Sequence, residues 1–166
     1  MKIAVLLKQV PDLAEELEVD DSGKALDTEY IKFKLDEYDE HALEEAVCLK
    51  EAGQASEVAA IALDGDEVDK ALFTSIAKGA DKAIKIMGAE VDGSRAAASI
   101  FAEAVGTEYD LIMTGVQSVD DREGMMGPML SSILKIPCLS VVTRVEGEDS
   151  GIVVHKEYFG GLMASF

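Results

Sequence analysis

The residues best arranged for chemistry lie in one run, Thr114-Gly115-Val116-Gln117-Ser118-Val119-Asp120-Asp121-Arg122-Glu123-Gly124-Met125-Met126-Gly127-Pro128. It follows the apolar stretch Leu111-Ile112-Met113, which reads as a strand, and precedes an apolar stripe from Met126 to Leu134, which reads as a helix. A strand-loop-helix junction in a parallel sheet aims backbone N–H groups and the positive end of a helix dipole at an anion. Gly115, Gly124 and Gly127 permit a close approach of backbone to ligand. The run carries neither the G-x-G-x-x-G dinucleotide fingerprint nor a Walker loop, so its glycines alone leave the ligand open. Adjacent Asp120 and Asp121 point apart unless the loop curls, which favours a surface turn or a ribose-hydroxyl acceptor over a metal site.

Elsewhere the chemistry is sparse. His41 and His155 have no carboxylate at relay spacing, and no Ser or Cys stands in a nucleophile elbow, so a hydrolase or transferase reading lacks its constellation. Cys48 and Cys138 have no C-x-x-C neighbour and are expected to be buried free thiols. The methionines Met125, Met126 and Met129 read as core packing, those nearest the loop also being placed to lie against a planar ligand.

The elements that must position the loop follow from alternation. Ile3–Leu7, Val58–Leu63, Ala83–Met87, 111–113 and Cys138–Val142 are short, nearly continuous apolar runs, as expected of parallel strands buried on both faces. Between them come stripes at helical spacing: Ala42, Leu43, Ala46, Val47; Val68, Ala71, Leu72, Ser75, Ile76; Ala97, Ile100, Phe101, Ala104, Val105; and Met126, Met129, Leu130, Ile133, Leu134. The order predicts an α/β fold, a doubly wound and mainly parallel sheet flanked by helices, in one domain over residues 1–166. A polar insertion at about 9–34 is expected to hold a short hairpin, Leu17-Glu18-Val19 against Ile31-Lys32-Phe33, turning at Asp20-Asp21-Ser22-Gly23. A second hairpin is expected at about 141–158, its strands flanking Gly147 to Gly151.

In such sheets ligands bind beyond the carboxyl ends of the strands, where strand order reverses. The candidate loops therefore follow Leu7, Leu63, Met87 and Met113. The first supplies Lys8 and Gln9; the second supplies Asp64-Gly65-Asp66, with Asp66 also suited to cap a helix.

The chain has 166 residues, 33 Asp plus Glu against 15 Lys plus Arg, and a net charge of −18. That sign repels a phosphate backbone and argues against nucleic acid as partner. It is equally compatible with solubility and with docking to a basic protein. Met1 to Leu7 is too short for a signal segment, and no apolar run approaches the roughly 20 residues of a membrane span. A cytoplasmic protein without membrane partners is expected.

Four motifs, in order, resemble the β subunit of electron transfer flavoprotein. They are Lys2-Ile3-Ala4-Val5-Leu6-Leu7-Lys8-Gln9-Val10-Pro11-Asp12, the helix Asp39-Glu40-His41-Ala42-Leu43-Glu44-Glu45-Ala46-Val47-Cys48-Leu49-Lys50-Glu51, the turn Ala77-Lys78-Gly79-Ala80-Asp81-Lys82-Ala83, and the stretch from Asp110 to Met129. The resemblance covers nearly the whole chain. It implies a Rossmann-like domain that binds an adenine nucleotide, AMP or FAD, catalyses nothing alone, and takes part in electron transfer beside an α-type subunit. Carried over by position, the pocket consists of Leu6, Leu7 and Lys8; Asp36, Tyr38 and Asp39; Leu63; and Gly115, Gln117, Ser118, Val119, Asp120, Asp121, Gly124, Met125, Met126 and Gly127. Gln117 and the loop amides would hold phosphate and ribose, while Leu6 and Leu63 would flank the adenine. No metal is implied.

Two departures qualify these expectations. Asp36-Glu37-Tyr38 stands where the family usually has Asn-Pro and an aromatic residue, which brings extra carboxylates near the nucleotide. Family members also continue well beyond Gly160-Gly161, through a loop that grips partner dehydrogenases and an arm onto the α subunit. A short relative or a lone nucleotide-binding domain is thus expected, with a dehydrogenase as a further candidate partner but not in the usual docking mode. The alternative is a stand-alone, homodimeric regulatory module of universal-stress-type architecture, whose glycine signature Gly115, Gly124 and Gly127-Pro128 meet in part.

Overall fold

The computed structural model describes residues 1–14, 16–29, 31–88, 91, 93–148 and 151–166. Four parallel strands form its central sheet: β1 (Lys2–Leu7), β4 (Glu57–Leu63), β5 (Lys82–Ile86) and β6 (Leu111–Thr114), in the order β5-β4-β1-β6. Alternate residues of β1 serve two cores, as the period of a strand requires. Ile3, Val5 and Leu7 pack with Leu43 and Val47 of α1 (Glu37–Glu51) and Val68 and Leu72 of α2 (Val68–Lys78). Ala4 and Leu6 face Ala98, Phe101 and Val105 of α3 (Gly93–Val105) and Leu130 of α4 (Met126–Leu134). The chain runs from β1 outward through β4 to β5, then returns to place β6 on the other side of β1. Strand order therefore reverses between β1 and β6.

This is the α/β sheet that the alternation of apolar runs predicts, with two differences. Cys138–Val142 forms no strand; α4 ends at Lys135 in a left-handed conformation, and Val141 (φ 58°) takes a backbone angle that no strand accommodates. And β5 is not buried on both faces: it is the sheet edge, its first three residues exposed.

The insertion after β1 also departs from expectation. Phe33 pairs with Pro11, because β2 (Gln9–Pro11) lies antiparallel to β3 (Phe33–Leu35). Val19 bridges Leu26 instead of reaching residues 31–33. The turn between them is as read: Gly23 N–H donates to the Asp20 carbonyl at 2.9 Å, and the Asp20 carboxylate accepts from Ser22. Such Asx geometry closes a local loop and so fixes a local pairing.

At the far end β7 (Arg144–Glu148) and β8 (Gly151–Tyr158) pair antiparallel, and β9 (Leu162–Ser165) adds a third strand. The connecting residues 149 and 150 lie outside the described residues. Among the described residues no helix is long and apolar enough to cross a membrane.

Both cysteines are exposed, contrary to the buried thiols expected. The apolar stripe of α1 is Leu43, Ala46, Val47 and Leu49, which turns Cys48 to the acidic face, and Cys138 sits in the segment without a strand partner. Burial first, then the charges of Glu44, Glu45 and Glu51, raise the Cys48 thiol above its ordinary pKa. Native protein should therefore yield two titratable thiols in a disulfide-exchange assay. Cys48 should react more slowly at pH 8 than cysteine in an unstructured peptide, since the thiolate is the reacting form. One reactive thiol only would contradict the exposure of one site.

Candidate functional site

A cleft of about 670 Å³ opens beyond the carboxyl ends of β1, β4 and β6. Its size suits a small-molecule ligand. Each wall has a sequence cause. Leu6 and Leu7 end β1 and Leu63 ends β4, where an apolar strand gives way to a polar loop. Val68 begins α2, and Ala97 and Phe101 lie on the inward face of α3. The 115–124 loop closes the remaining side.

The loop is curled by its own bonds. Ser118 and Asp121 exchange backbone N–H···O=C bonds of 3.1 and 3.2 Å, forming a turn. Inside it, the Ser118 hydroxyl donates to Asp120 Oδ1 at 2.6 Å, and Lys8 Nζ reaches Asp120 Oδ2 at 2.6 Å and Ser118 Oγ at 3.3 Å. Burial pushes the Asp120 carboxyl up, but the Lys8 and Ser118 hydrogen bonds outweigh it and hold Asp120 below its ordinary value. Asp121 turns the other way and accepts a hydrogen bond from the Ser94 hydroxyl of α3. The two aspartates thus point apart, each to a different internal partner.

Asp36 and Asp39 are both buried. Asp36 is the N-cap of α1, its carboxylate accepting from Tyr38 N–H (3.0 Å) and Asp39 N–H (3.4 Å). This satisfies helix donors that would otherwise be orphaned. Asp39 bridges the two strands at the reversal point: Oδ2 accepts from the Lys8 N–H beyond β1, and Oδ1 accepts from the Gly115 N–H beyond β6, both at 2.7 Å. Burial, then the neighbouring Asp36 charge, pushes the Asp39 carboxyl up to about 7 against the pull of these two donors. An unfolded aspartate releases its proton near pH 4. The native state therefore holds the extra proton between those values, and the contribution of Asp39 to stability declines as pH rises through that window.

Of the residues expected at the site, Leu6, Leu7, Lys8, Asp39, Leu63, Gly115, Gln117, Ser118, Asp120, Asp121, Gly124 and Met126 line this cleft. Five lie off it. Asp36 is turned into its cap, Val119 is exposed, and Met125 stands exposed at the N-cap of α4. Tyr38 and Gly127 line a second, more apolar groove of about 840 Å³ on the other side of β6. Gln117 Nε2 does reach the Tyr38 hydroxyl at 3.4 Å. Asp66 is in the cleft wall and caps nothing, because the N-cap of α2 is Glu67 in a left-handed conformation.

Sequence reasoning passed over Ser94 and Phe101, although the loop after Met87 was a candidate and the small pair Gly93-Ser94 opens the helix that follows. It also left His155 alone. Pairing across β7, β8 and β9 puts Glu146 Oε2 at 2.7 Å from Nε2 and Ser165 Oγ at 3.0 Å from Nδ1. Linear spacing is blind to an antiparallel register. None of these three residues lines either cleft.

Two features define what the cleft can hold. Lys8 is the only Lys or Arg among the described lining residues and is already paired, against carboxylates at Asp39, Asp64, Asp66, Asp120, Asp121 and Glu123. A phosphoryl group here needs backbone N–H donors more than charge. And Gln9, whose Nε2 donates to the Glu67 carbonyl at 2.7 Å, leaves its buried Oε1 without a hydrogen-bond partner. An unpaired buried acceptor on a ligand-sized cleft calls for a donor.

Residues 24–165 match the family model described as electron transfer flavoprotein domain. The chain is 32% identical to the electron transfer flavoprotein subunit beta of Methylophilus methylotrophus, over 98% of this chain and 64% of that protein. It is 31% identical to the subunit of the same name from Bradyrhizobium diazoefficiens (strain JCM 10833 / BCRC 13528 / IAM 13628 / NBRC 14792 / USDA 110), over 98% and 66%. The corresponding subunit of Syntrophomonas wolfei subsp. wolfei (strain DSM 2245B / Goettingen) is 34% identical, over 97% and 64%. The chain spans just under two thirds of the length of these relatives.

Proposed function

The chain belongs to the electron transfer flavoprotein family, and from that premise we propose that it is a β-type component that holds an adenine nucleotide in the cleft between β1 and β6. The observation carrying this reading is the coincidence of the cleft with the strand-order reversal, walled by Leu6 and Leu63 and closed by the loop that Lys8 braces. Leu6 and Leu63 are suited to flank a purine. Backbone N–H groups of Val116, Gln117 and Val119, with the Ser118 hydroxyl and Lys8, are suited to phosphate and ribose oxygens. Asp120 and Asp121 supply acceptors for ribose hydroxyls.

Two nucleotides fit this description. AMP would serve as a structural ligand. FAD, when bound, supplies one- and two-electron redox chemistry, and the residues named here would bind and orient its adenylate half. In either form the proposed role is that of a carrier component instead of an enzyme. An α-type subunit is the proposed partner, with a dehydrogenase as donor or acceptor beyond it.

Native mass spectrometry of the purified chain, followed by heat release and absorbance, tests the reading. A released mass of AMP, or FAD with visible flavin absorbance at about one per chain, is the expected result. An apo chain that takes up neither on incubation with AMP or FAD would overturn it. A homodimer holding ATP, with no α-type partner recovered, would point instead to the regulatory module.

A further inference from the structure

The backbone donors that an α/β sheet offers to a ligand lie at the ends of the strands flanking the reversal point. Two of them, the N–H groups of Lys8 and Gly115, are taken by a carboxylate of the chain itself. Asp39 is only 7% exposed yet lines the cleft. Its α1 backbone lies so near Gly115 that a Cβ there would come within 2.9 Å of Asp39 N and 3.0 Å of the Tyr38 carbonyl carbon. The carboxylate is thus an internal anion seated on strand-end amides.

We propose that Asp39 is a positioning residue that exchanges with the ligand's phosphoryl group: as the phosphoryl group enters, Asp39 takes up one proton from solvent and releases one of its two backbone N–H donors to a phosphoryl oxygen. This rests on the nucleotide reading of the cleft. An ionised carboxylate accepts through both oxygens, whereas a protonated one carries hydrogen on one oxygen and accepts fully only through the other. Protonation therefore frees a donor and removes a charge that repels the incoming anion.

The charged groups around Asp39 act in the same direction or are already engaged. Asp36, on the same helix, adds a like charge; Lys8, at the end of β1, pairs with Asp120 of the loop, whose charge in turn reaches Asp36. β6 contributes only uncharged Thr114 and the Gly115 amide at this point. Burial has already brought the Asp39 carboxyl to about 7, so a small added field moves its proton at physiological pH.

Linkage fixes the sign. Above pH 7 the free protein holds Asp39 ionised, binding then takes up a proton, and affinity falls as pH rises, by up to about tenfold per pH unit. The phosphate of AMP titrates near 6 and is a dianion throughout that range. AMP is titrated calorimetrically at pH 8 in two buffers of different ionisation heat. Expected for the wild-type chain is uptake approaching one proton per AMP. Asp39→Asn should bind AMP with no uptake and with affinity independent of pH between 7 and 8.5. AMP binding without proton uptake, or Asp39→Asn retaining it, would overturn the exchange and leave the nucleotide reading standing. Absence of AMP binding at every pH from 6.5 to 8.5 would overturn both. Should Asp39→Asn fail to fold, the amide resonances of Lys8 and Gly115 in the ligand-free wild type decide the point. They should titrate together with one midpoint near pH 7; no movement between pH 6 and 8.5 would sink the proposal.

Discussion

Gly115→Ala is expected to destabilise the fold and disable the cleft together. A Cβ at this position would stand 2.5 Å from Asp39 Oδ1, 2.9 Å from Asp39 N and 3.0 Å from the Tyr38 carbonyl carbon. A side-chain oxygen could swing aside, but the other two atoms belong to the backbone of the first turn of α1. That turn is fixed from both sides, by the Asp36 cap and by the Asp39 bonds to Lys8 and Gly115. Overpacking a site of this kind costs about 1–3 kcal/mol. For a chain of this size each kcal/mol corresponds to a shift in Tm of about 2–4 °C. Gly65→Ala is the matched control: its Cβ would meet nothing within 4 Å, so its stability should stay within about 0.5 kcal/mol of wild type. Gly115→Ala unfolding at the wild-type urea midpoint would mean that α1 does not start against β6. Equal losses in both variants would mean that the close approach is not the cause.

The same contact shows what the sequence conveys and what it does not. β1, β4, β5, β6 and the four helices were legible because each is continuous in sequence and repeats at the period of its element; the apolar stripe of α1 needs no knowledge of its partner. The location of the cleft was legible for a related reason, since strand order and the carboxyl-end rule together select loops. The roles of individual carboxylates were not. Asp39 and Gly115 are 76 residues apart, and nothing in the local run 36–40 separates a capping aspartate from a clamping one. The 138–142 segment failed in the opposite way: its local pattern is that of a strand, but the αL residues Lys135 and Val141 interrupt it. The relay around His155 depends on the register of β8 with β9, which pairs His155 with Ser165. Long-range pairings of this sort are set by the whole fold, and a single chain's periodicity carries no trace of them.

The second large effect concerns the loop. Gly124 has φ +63°, and a Cβ there would stand 2.5 Å from the Val116 carbonyl oxygen. Valine at such an angle is disfavoured by about 1–2 kcal/mol on backbone grounds alone, before the clash is counted. The atom in the way is backbone, so relief requires the two limbs of the loop, 115–117 and 122–124, to separate. Separation moves Gln117 and Ser118, and with Ser118 the turn that places Asp120 against Lys8. Gly124 lies between β6 and α4 and outside both buried cores, so the sheet and helices have no reason to change. Gly124→Val should therefore keep the wild-type circular dichroism spectrum and lose nucleotide retention in native mass spectra by at least about tenfold, the equivalent of 1.4 kcal/mol. Gly115→Ala, by contrast, should lose stability first. A Gly124→Val chain that retains nucleotide as the wild type does would remove the loop from the site.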